Sequence, residues 1–504
     1  MAHGIDIQED IIVCGASSSA AKKEEESPAQ VDHVVELIEQ KLDKVPSSPA
    51  DCSIYRVPKT LVDEKPEAYI PHMVSIGPFH HGQQHLQPTE ARKMHYFKMF
   101  LSRQEPQAAA LSDYVKAVRD LEKRAYQCYP DMKVDERDNF VMMMVVDGCF
   151  ILELLYSYSF FEATSNYKWG YLVTLDLILL ENQLPMFVLE ALYQVFISGG
   201  DSSHQQEQAA TADHTWTQLY GLIFSCFVPN ILCMLLGDED ASNYLDRAYI
   251  QRSKPSKDKP KHLLDFVRRF LIPPPSTNSF RQLWETKDEK KRCLYSVAAC
   301  TPQLCLRDRT EEDNSLLIMK DIRERVRCAT ELEKASVKFE KNKNATSLSD
   351  IKFENGVLKI PGIVIGHGGE LILRNLVAYE QYTNDYYSDI TEYADFMDGL
   401  IDSREDVELL QNNGIIVTML GDPTEVARLF NNLLKDIAVP LYYTVPVRRK
   451  LEEYYNTRCH KWKASLMRNY FSNPWTFISI VAAIILLGLT VTQTIYSALA
   501  YYHH

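Results

Sequence analysis

Five histidines lie close together in the first quarter of the chain: His72, His80, His81, His85 and His95, two of them inside the run Gly77-Pro78-Phe79-His80-His81-Gly82. Imidazoles at such short spacing are ligands that Zn²⁺ and Cu²⁺ favour, and a zinc hydrolase built on them would also need an open coordination position and a general base. The H-E-x-x-H pattern, which puts two ligands on one helical face, is absent, and Pro78 and Gly82 argue for a loop. The stretch therefore reads as a structural loop whose histidines bond to backbone, with a metal site as the competing reading.

Four carboxylates form the second candidate group, because Asp147, Glu153, Asp176 and Glu181 sit in strongly apolar runs. Burial raises a carboxyl pKa and suits it to general-acid work. Asp147 and Glu153, however, are six residues apart, about 240° around a helix, and Asp176 and Glu181 are five apart, about 140°, so neither pair shares a helical face. Ion pairing with Arg56, Arg374 or Lys59 to hold helices together is the better expectation. Nucleophile and phosphate motifs are missing as well. There is no G-x-S-x-G elbow, Gly366, Gly368 and Gly369 do not make G-x-G-x-x-G, and the spacing of Cys293, Cys300 and Cys305 fits neither a zinc knuckle nor a redox dithiol. The cysteines read as free buried thiols. No catalytic residue, metal or cofactor is assigned, and the chain is expected to be non-enzymatic. A hydrolase using the His72–His95 loop or the buried carboxylates is the alternative, beside a purely structural membrane protein.

The elements that would carry these residues are mainly helical. The chain has 504 residues, 46% of them apolar and 24% charged, and a net charge of −14, which supports a globular core and argues against nucleic acid as a partner. Residues 1–30 are polar and read as a disordered tail without a signal peptide; residues 31–470 read as the helical domain, starting with Val31, Val34, Val35, Ile38 and Leu42 at helical spacing. VMMMVVDGCFILELLYSYSFF and YLVTLDLILLENQLPMFVLEALYQVF are too apolar for a one-faced helix and should be central, with a turn at Glu181-Asn182-Gln183 and a new helix from Pro185. Polar stretches at Ser198–His214 and Gln251–Lys261 read as exposed loops. Asn355-Gly356 between IKFE and VLKI predicts a β-hairpin with a type I′ turn, and GIVIGHGGELILRNL would add strands with its glycines as turns.

Residues 471–504 form the last segment, and from Phe477 to Ala500 it holds no charge over about 24 residues, enough to cross a ~30 Å hydrocarbon layer. Trp475, Tyr496, Tyr501 and Tyr502 would sit at headgroup level. Arg448, Arg449, Lys450, Arg458, Lys461, Lys463 and Arg468 precede the span and no Lys or Arg follows it, which predicts a cytosolic domain on a single-pass, tail-anchored protein, expected at the plasma membrane. Ser479, Ala483, Thr490, Gln493, Thr494 and Ser497 fall near helical spacing and are the expected face for association in the membrane. Asn344-Ala345-Thr346 is a glycosylation sequon that matters only in a secretory lumen. The fold class is thus mainly α: a large helical soluble domain with a small β-hairpin element and one C-terminal transmembrane helix.

Several blocks carry a family resemblance. IYRVPKTLVDEKPEAYIPHMVSIGPFHHGQQHLQPTEARKMHYF (Ile54–Phe97), VVDGCFILELL (Val145–Leu155), DLILLENQLPMFVLEALY (Asp176–Tyr193), CATELEKASVKF (Cys328–Phe339), LILRNLVAYEQ (Leu371–Gln381) and the membrane-type end from Asn469 to Tyr496 occur in order over nearly the whole chain. The sequence resembles the plant domain-of-unknown-function 247 family, with Thr89 standing where that pattern has Met. The resemblance implies a helical, membrane-associated plant protein without established enzymatic activity. It marks Pro78, His80, His81, Gly82, Asp147, Glu181, Asn182 and Gln183 as motif residues of unknown role. Some grass members resemble pollen-side self-incompatibility determinants that act with a second family member and respond to small secreted proteins. The partner expected here is accordingly a protein, another member of the family or a small secreted one, at a membrane and in a homo- or hetero-oligomer.

Overall fold

Helix formation follows the apolar periodicity, and the most apolar runs become the innermost helices. A computed structural model describes residues 53–103, 109–130, 137–162, 167–199, 218–237, 259–272, 326–382, 388–437, 443–457 and 474–502, with a few single positions between them. The tail at 1–30, the cysteines at 293, 300 and 305, and nearly all of the two polar loops lie outside the described residues; of the early amphipathic helix, only Val34 is described, helical and exposed.

Helix α1 (Lys59–Glu64) and a 3₁₀ turn (Pro66–Ala68) lead into a stretch without regular structure, and a second 3₁₀ turn (Gln84–Leu86) opens α2 (Gln87–Ser102). Then follow α3 (Leu111–Gln127), α4 (Arg137–Glu162), α5 (Tyr167–Asp176), α6 (Met186–Ser198), α7 (Val228–Leu236) and α8 (Leu263–Leu271). The expected turn and restart around Pro185 are present, with Pro185 as the cap residue of α6. Helix α4 packs against α2, α3 and α6. Its stretch Arg137–Ser157 is long and apolar enough to cross a membrane, yet 83% of that window is buried inside the protein, so it is a core helix.

The C-terminal half begins with α9 (Ala329–Lys334), β1 (Lys338–Lys341), β2 (Lys352–Glu354), β3 (Val357–Ile360), β4 (Ile363–Ile365) and α10 (His367–Glu380). It continues through α11 (Asp389–Leu400), α12 (Arg404–Asn412), β5 (Ile416–Thr418), α13 (Pro423–Leu433), α14 (Val445–Asn456) and α15 (Pro474–Tyr502). The predicted hairpin is the antiparallel pair β2–β3, with Asn355 and Gly356 both at positive φ (52° and 77°) as a type I′ turn requires. Two further pairings exceed the sequence reading: β1 joins β3 in parallel, and β4 pairs in parallel with β5. At three or four residues each, β1 and β5 are too short to announce themselves by alternation.

The glycines of GHGG depart from expectation. Gly368 and Gly369 lie in the first turn of α10 rather than in a turn between strands, and every residue from Gly368 to Glu380 is buried. A Cβ on Gly369 would stand 2.3 Å from the Val364 carbonyl oxygen and 3.2 Å from that of Met234, so the residue is glycine because β4 and α7 press on it. Buried carboxylates then fasten neighbouring elements. Glu380 pairs with Arg268 of α8 at 2.8 Å and accepts the Ile390 and Thr391 N–H groups at the start of α11; Glu392 accepts Tyr443 and Thr444 N–H before α14, and Asp406 accepts Thr330 N–H in α9.

Helix α15 differs from all of these. Its side chains are exposed throughout Ala482–Ser497, including Ile484, Ile485, Leu486, Leu487, Leu489, Val491 and Ile495. Among the described cysteines, Cys128 and Cys149 are buried free thiols as expected, while Cys226, Cys233 and Cys328 are only half-buried.

Gly369→Ala forces backbone apart at a contact that no rotamer relieves, and should destabilise the protein by about 1–3 kcal/mol or more. A thermal unfolding midpoint equal to that of the parent would refute this account of α10.

Candidate functional site

Residues His72 to Gly77 have no regular secondary structure, yet Val74 and Ile76 are fully buried, so their backbone N–H groups need partners other than water. Side chains supply them. Asp176, the last residue of α5, accepts the N–H of His72 at 2.8 Å on one oxygen and those of Met73 and Val74 at 2.6 and 2.8 Å on the other. Asn182 accepts the Ile76 N–H at 2.7 Å and donates its own amide to the Val74 and Asp176 carbonyls, both at 3.0 Å. Asp147 of α4 accepts the Gly77 N–H at 2.8 Å.

The turn between α5 and α6 is braced in the same way. Gln183 donates to the Leu177 and Leu179 carbonyls at 2.7 and 2.8 Å, its side-chain oxygen accepts the Leu264 N–H at 3.0 Å, and its main-chain carbonyl accepts the Tyr129 hydroxyl at 2.9 Å. Glu181 accepts the Val57 N–H at 2.8 Å and pairs with Arg56 at 2.8 Å; His80 Nε2 lies 3.6 Å away. From α10, Asn375 accepts the Leu180 N–H at 2.9 Å and donates to the Ala68 carbonyl. One polar turn thus fastens the chain of residues 57–77 to α8 and α10, and Asp147 fastens it to α4.

The carboxylates are paired, though mostly by other cations than expected. Arg56 on Glu181 is as predicted. Asp147 instead holds Lys93 of α2 at 2.8 Å with both groups almost fully buried, Glu153 holds Arg103 at 2.6 Å, and Asp176 is served by backbone alone. Arg374 is paired with Glu370, beside Lys65. The helical angle expected between Asp176 and Glu181 does not apply, because Glu181 lies in the turn beyond α5. Burial pushes the Asp176 carboxyl up to about 6 against the pull of its three N–H donors, and pushes Asp147 up despite Lys93. A carboxyl near 6 has the range of a general acid, but both oxygens of Asp176 are engaged and the residue is 1% exposed.

The five histidines diverge. His80 is buried with Nδ1 2.9 Å from the Gln83 amide, and burial holds its imidazole below the usual range against the pull of Glu181. His85 bonds the Pro71 carbonyl at 2.9 Å, His72 stands edge-on to His367, and His81, Gly82 and His95 are exposed, with Pro78 half-buried. Thr89 bonds the carbonyls of Leu86 and Met73 and so ties α2 to the segment His72–Gly77. Among the described residues, no three His, Cys, Asp or Glu side chains gather as metal ligands.

Lys93, Arg103, His262 and Asn375 are members that sequence reasoning missed. Lys93 carried a weak signal, three residues after Glu90 in a helical stretch, whereas Asn375 lay unremarked in LILRNLVAYEQ. His262 caps α8: its Nδ1 accepts the Asp265 N–H and its Nε2 bonds the Ser53 carbonyl, which fixes a neutral ring.

The family described as "Plant protein of unknown function", DUF247, matches residues 54–489 of this chain. The chain belongs to the plant DUF247 family. Two Arabidopsis thaliana relatives are similar along nearly their whole length: UPF0481 protein At3g47200, 29% identical over 89% of this chain and 87% of its own, and the putative UPF0481 protein At3g02645, 25% identical over 88% and 89%. No solved structure matches the chain. In this DUF247 protein, the blocks that carried the resemblance hold the clamp: Asp147 and Glu153 in one, Asp176 to Gln183 in the next, Glu370's partner Arg374 and Asn375 in a third.

Two outcomes follow from the clamp. Lys93→Met leaves Asp147 as a buried carboxylate without its counter-ion and should cost about 3–5 kcal/mol in denaturant unfolding, far above the effect of an exposed lysine. His262, pushed down to about 4 by burial, is neutral when folded and protonated below about pH 6.5 when unfolded. Its contribution is therefore complete above pH 6.5 and is lost as pH falls from 6.5 to about 4, on the order of 3 kcal/mol in all. Stability measured across that window should fall less steeply in His262→Asn than in the parent.

Proposed function

We propose that this DUF247 protein is a membrane-anchored, non-enzymatic recognition or signalling protein: α15 spans the bilayer and the helical domain binds another protein. The observation that carries the anchor is α15 itself, 29 residues without a charge and exposed at every position from Ala482 to Ser497. At 1.5 Å per residue it reaches about 43 Å, against a hydrocarbon core of about 30 Å. A helix apolar all round is stable when buried in protein or in lipid, and among the described residues protein does not cover Ala482–Ser497.

Of the basic residues before the span, Arg448 is paired with Asp395 at 2.7 Å, while Arg449 and Lys450 are exposed. The remaining basic residues still precede the span, which favours a cytosolic domain at the plasma membrane. Recognition rather than turnover is supported by where the motif groups point: Asp147, Asp176, Asn182 and Gln183 are committed inside the fold. With a cytosolic domain the partner is another family member or a different intracellular protein; a secreted ligand requires the opposite topology.

Sealed plant microsomes bearing an N-terminally tagged chain test this. The full chain should resist alkaline carbonate extraction and a version lacking 474–502 should be released, while external protease should remove the tag and Asn344, exposed on its turn, should carry no glycan. Carbonate release of the full chain would refute the anchor, and a protected, glycosylated domain would reverse its orientation.

A further inference from the structure

Gln493 is the one primary amide in a helix without a charge, about 10 Å short of Ala500 at 1.5 Å per residue. The hydroxyls near it are already used within the helix: Thr490 donates to the Leu487 carbonyl at 2.8 Å, Thr492 to Gly488 at 2.7 Å and Thr494 to Thr490 at 2.7 Å. Gln493 makes no such bond among the described residues, and lipid tails offer it neither donor nor acceptor.

Its position along the helix is also specific. Ser479, Ala483, Leu486, Thr490, Gln493 and Ser497 alternate by four and three residues, the spacing of a heptad seam, and all six are exposed. Thr494 flanks that line. Ala483, Thr490 and Ser497 are small enough to let a second helix approach, and a repeat of 3.5 residues keeps the two in register with a left-handed crossing.

We propose that α15 forms a parallel homodimer in the membrane, with Gln493 of each copy bonded reciprocally to Gln493 of the other. The argument for a second copy is one of depth and chemistry. Copies inserted with one topology bring Gln493 to the same level automatically, and an amide that both donates and accepts is complementary to itself about a two-fold axis. A polar residue on the seam of a coiled coil selects register and partner number in the same way. The proposal rests on α15 being a membrane span.

The test reconstitutes the full chain, labelled separately with donor and acceptor dyes, into phosphatidylcholine vesicles and reads energy transfer against dilution with lipid, with vesicle flotation measured on the same samples. The parent should float and show transfer that falls on dilution. Gln493→Leu should float equally and need about ten-fold more protein per lipid for the same transfer. Gln493→Asn should retain most of it, and Thr492→Leu, off the seam, should match the parent. A floating parent without transfer overturns the dimer but leaves the anchor standing, as does Gln493→Leu equal to the parent or Thr492→Leu as weak as Gln493→Leu. Failure of the parent to float overturns both readings.

Discussion

The fold depends on satisfying the backbone of a buried segment that is neither helix nor strand. The chain enters the protein from an exposed His72 and runs buried from Val74 to Gly77, where each unpaired N–H would cost as much as a lost hydrogen bond. Asp176, Asn182 and Asp147 take five N–H groups between His72 and Gly77. Because the same turn also holds Val57, Leu264 and, through Asn375, Leu180, a single run of polar residues fixes where the segment before α1, α8 and α10 meet. Apolar packing alone has no means of specifying that path, since hydrophobic attraction is non-directional.

The same device recurs in the C-terminal half. Glu380, Glu392 and Asp406 each leave one helix to meet the N–H groups at the start of another, where the helix dipole also favours negative charge. Glu392 and Asp406 act between elements 52 and 76 residues apart, so each is both a cap and a tertiary bond, while Glu380 joins consecutive helices. Glu380 bears the further ion pair with Arg268, which offsets the burial of both charges. Carboxylates in apolar surroundings, which in sequence suggest general acids, serve here as acceptors for backbone.

The histidine cluster shows the limit of proximity along the chain. Five imidazoles within a short stretch have the ligand types for a metal, but in space they leave in separate directions: His80 inward to Gln83, His85 to Pro71, His81 and His95 to solvent. A loop bounded by the buried segment Val74–Gly77 on one side and α2 on the other orients side chains by the local backbone, and that orientation is set by contacts such as Thr89 with Leu86. Spacing in sequence carries no such information.

Composition and periodicity alone determined that this protein is mainly helical, that VMMMVVDGCFILELLYSYSFF is a central helix, that a turn and a new helix meet at Pro185, and that Asn355-Gly356 closes a hairpin, because each is a local property of the backbone and of hydrophobic spacing. The resemblance found in six blocks was likewise legible and places the chain in its family. Tertiary structure decided the rest. Which cation meets Asp147, why Gly369 lies inside a helix, and what Asp176, Asn182 and Gln183 hold are questions of partners up to 200 residues or so away, and directional bonds between distant segments leave no periodic trace in the chain.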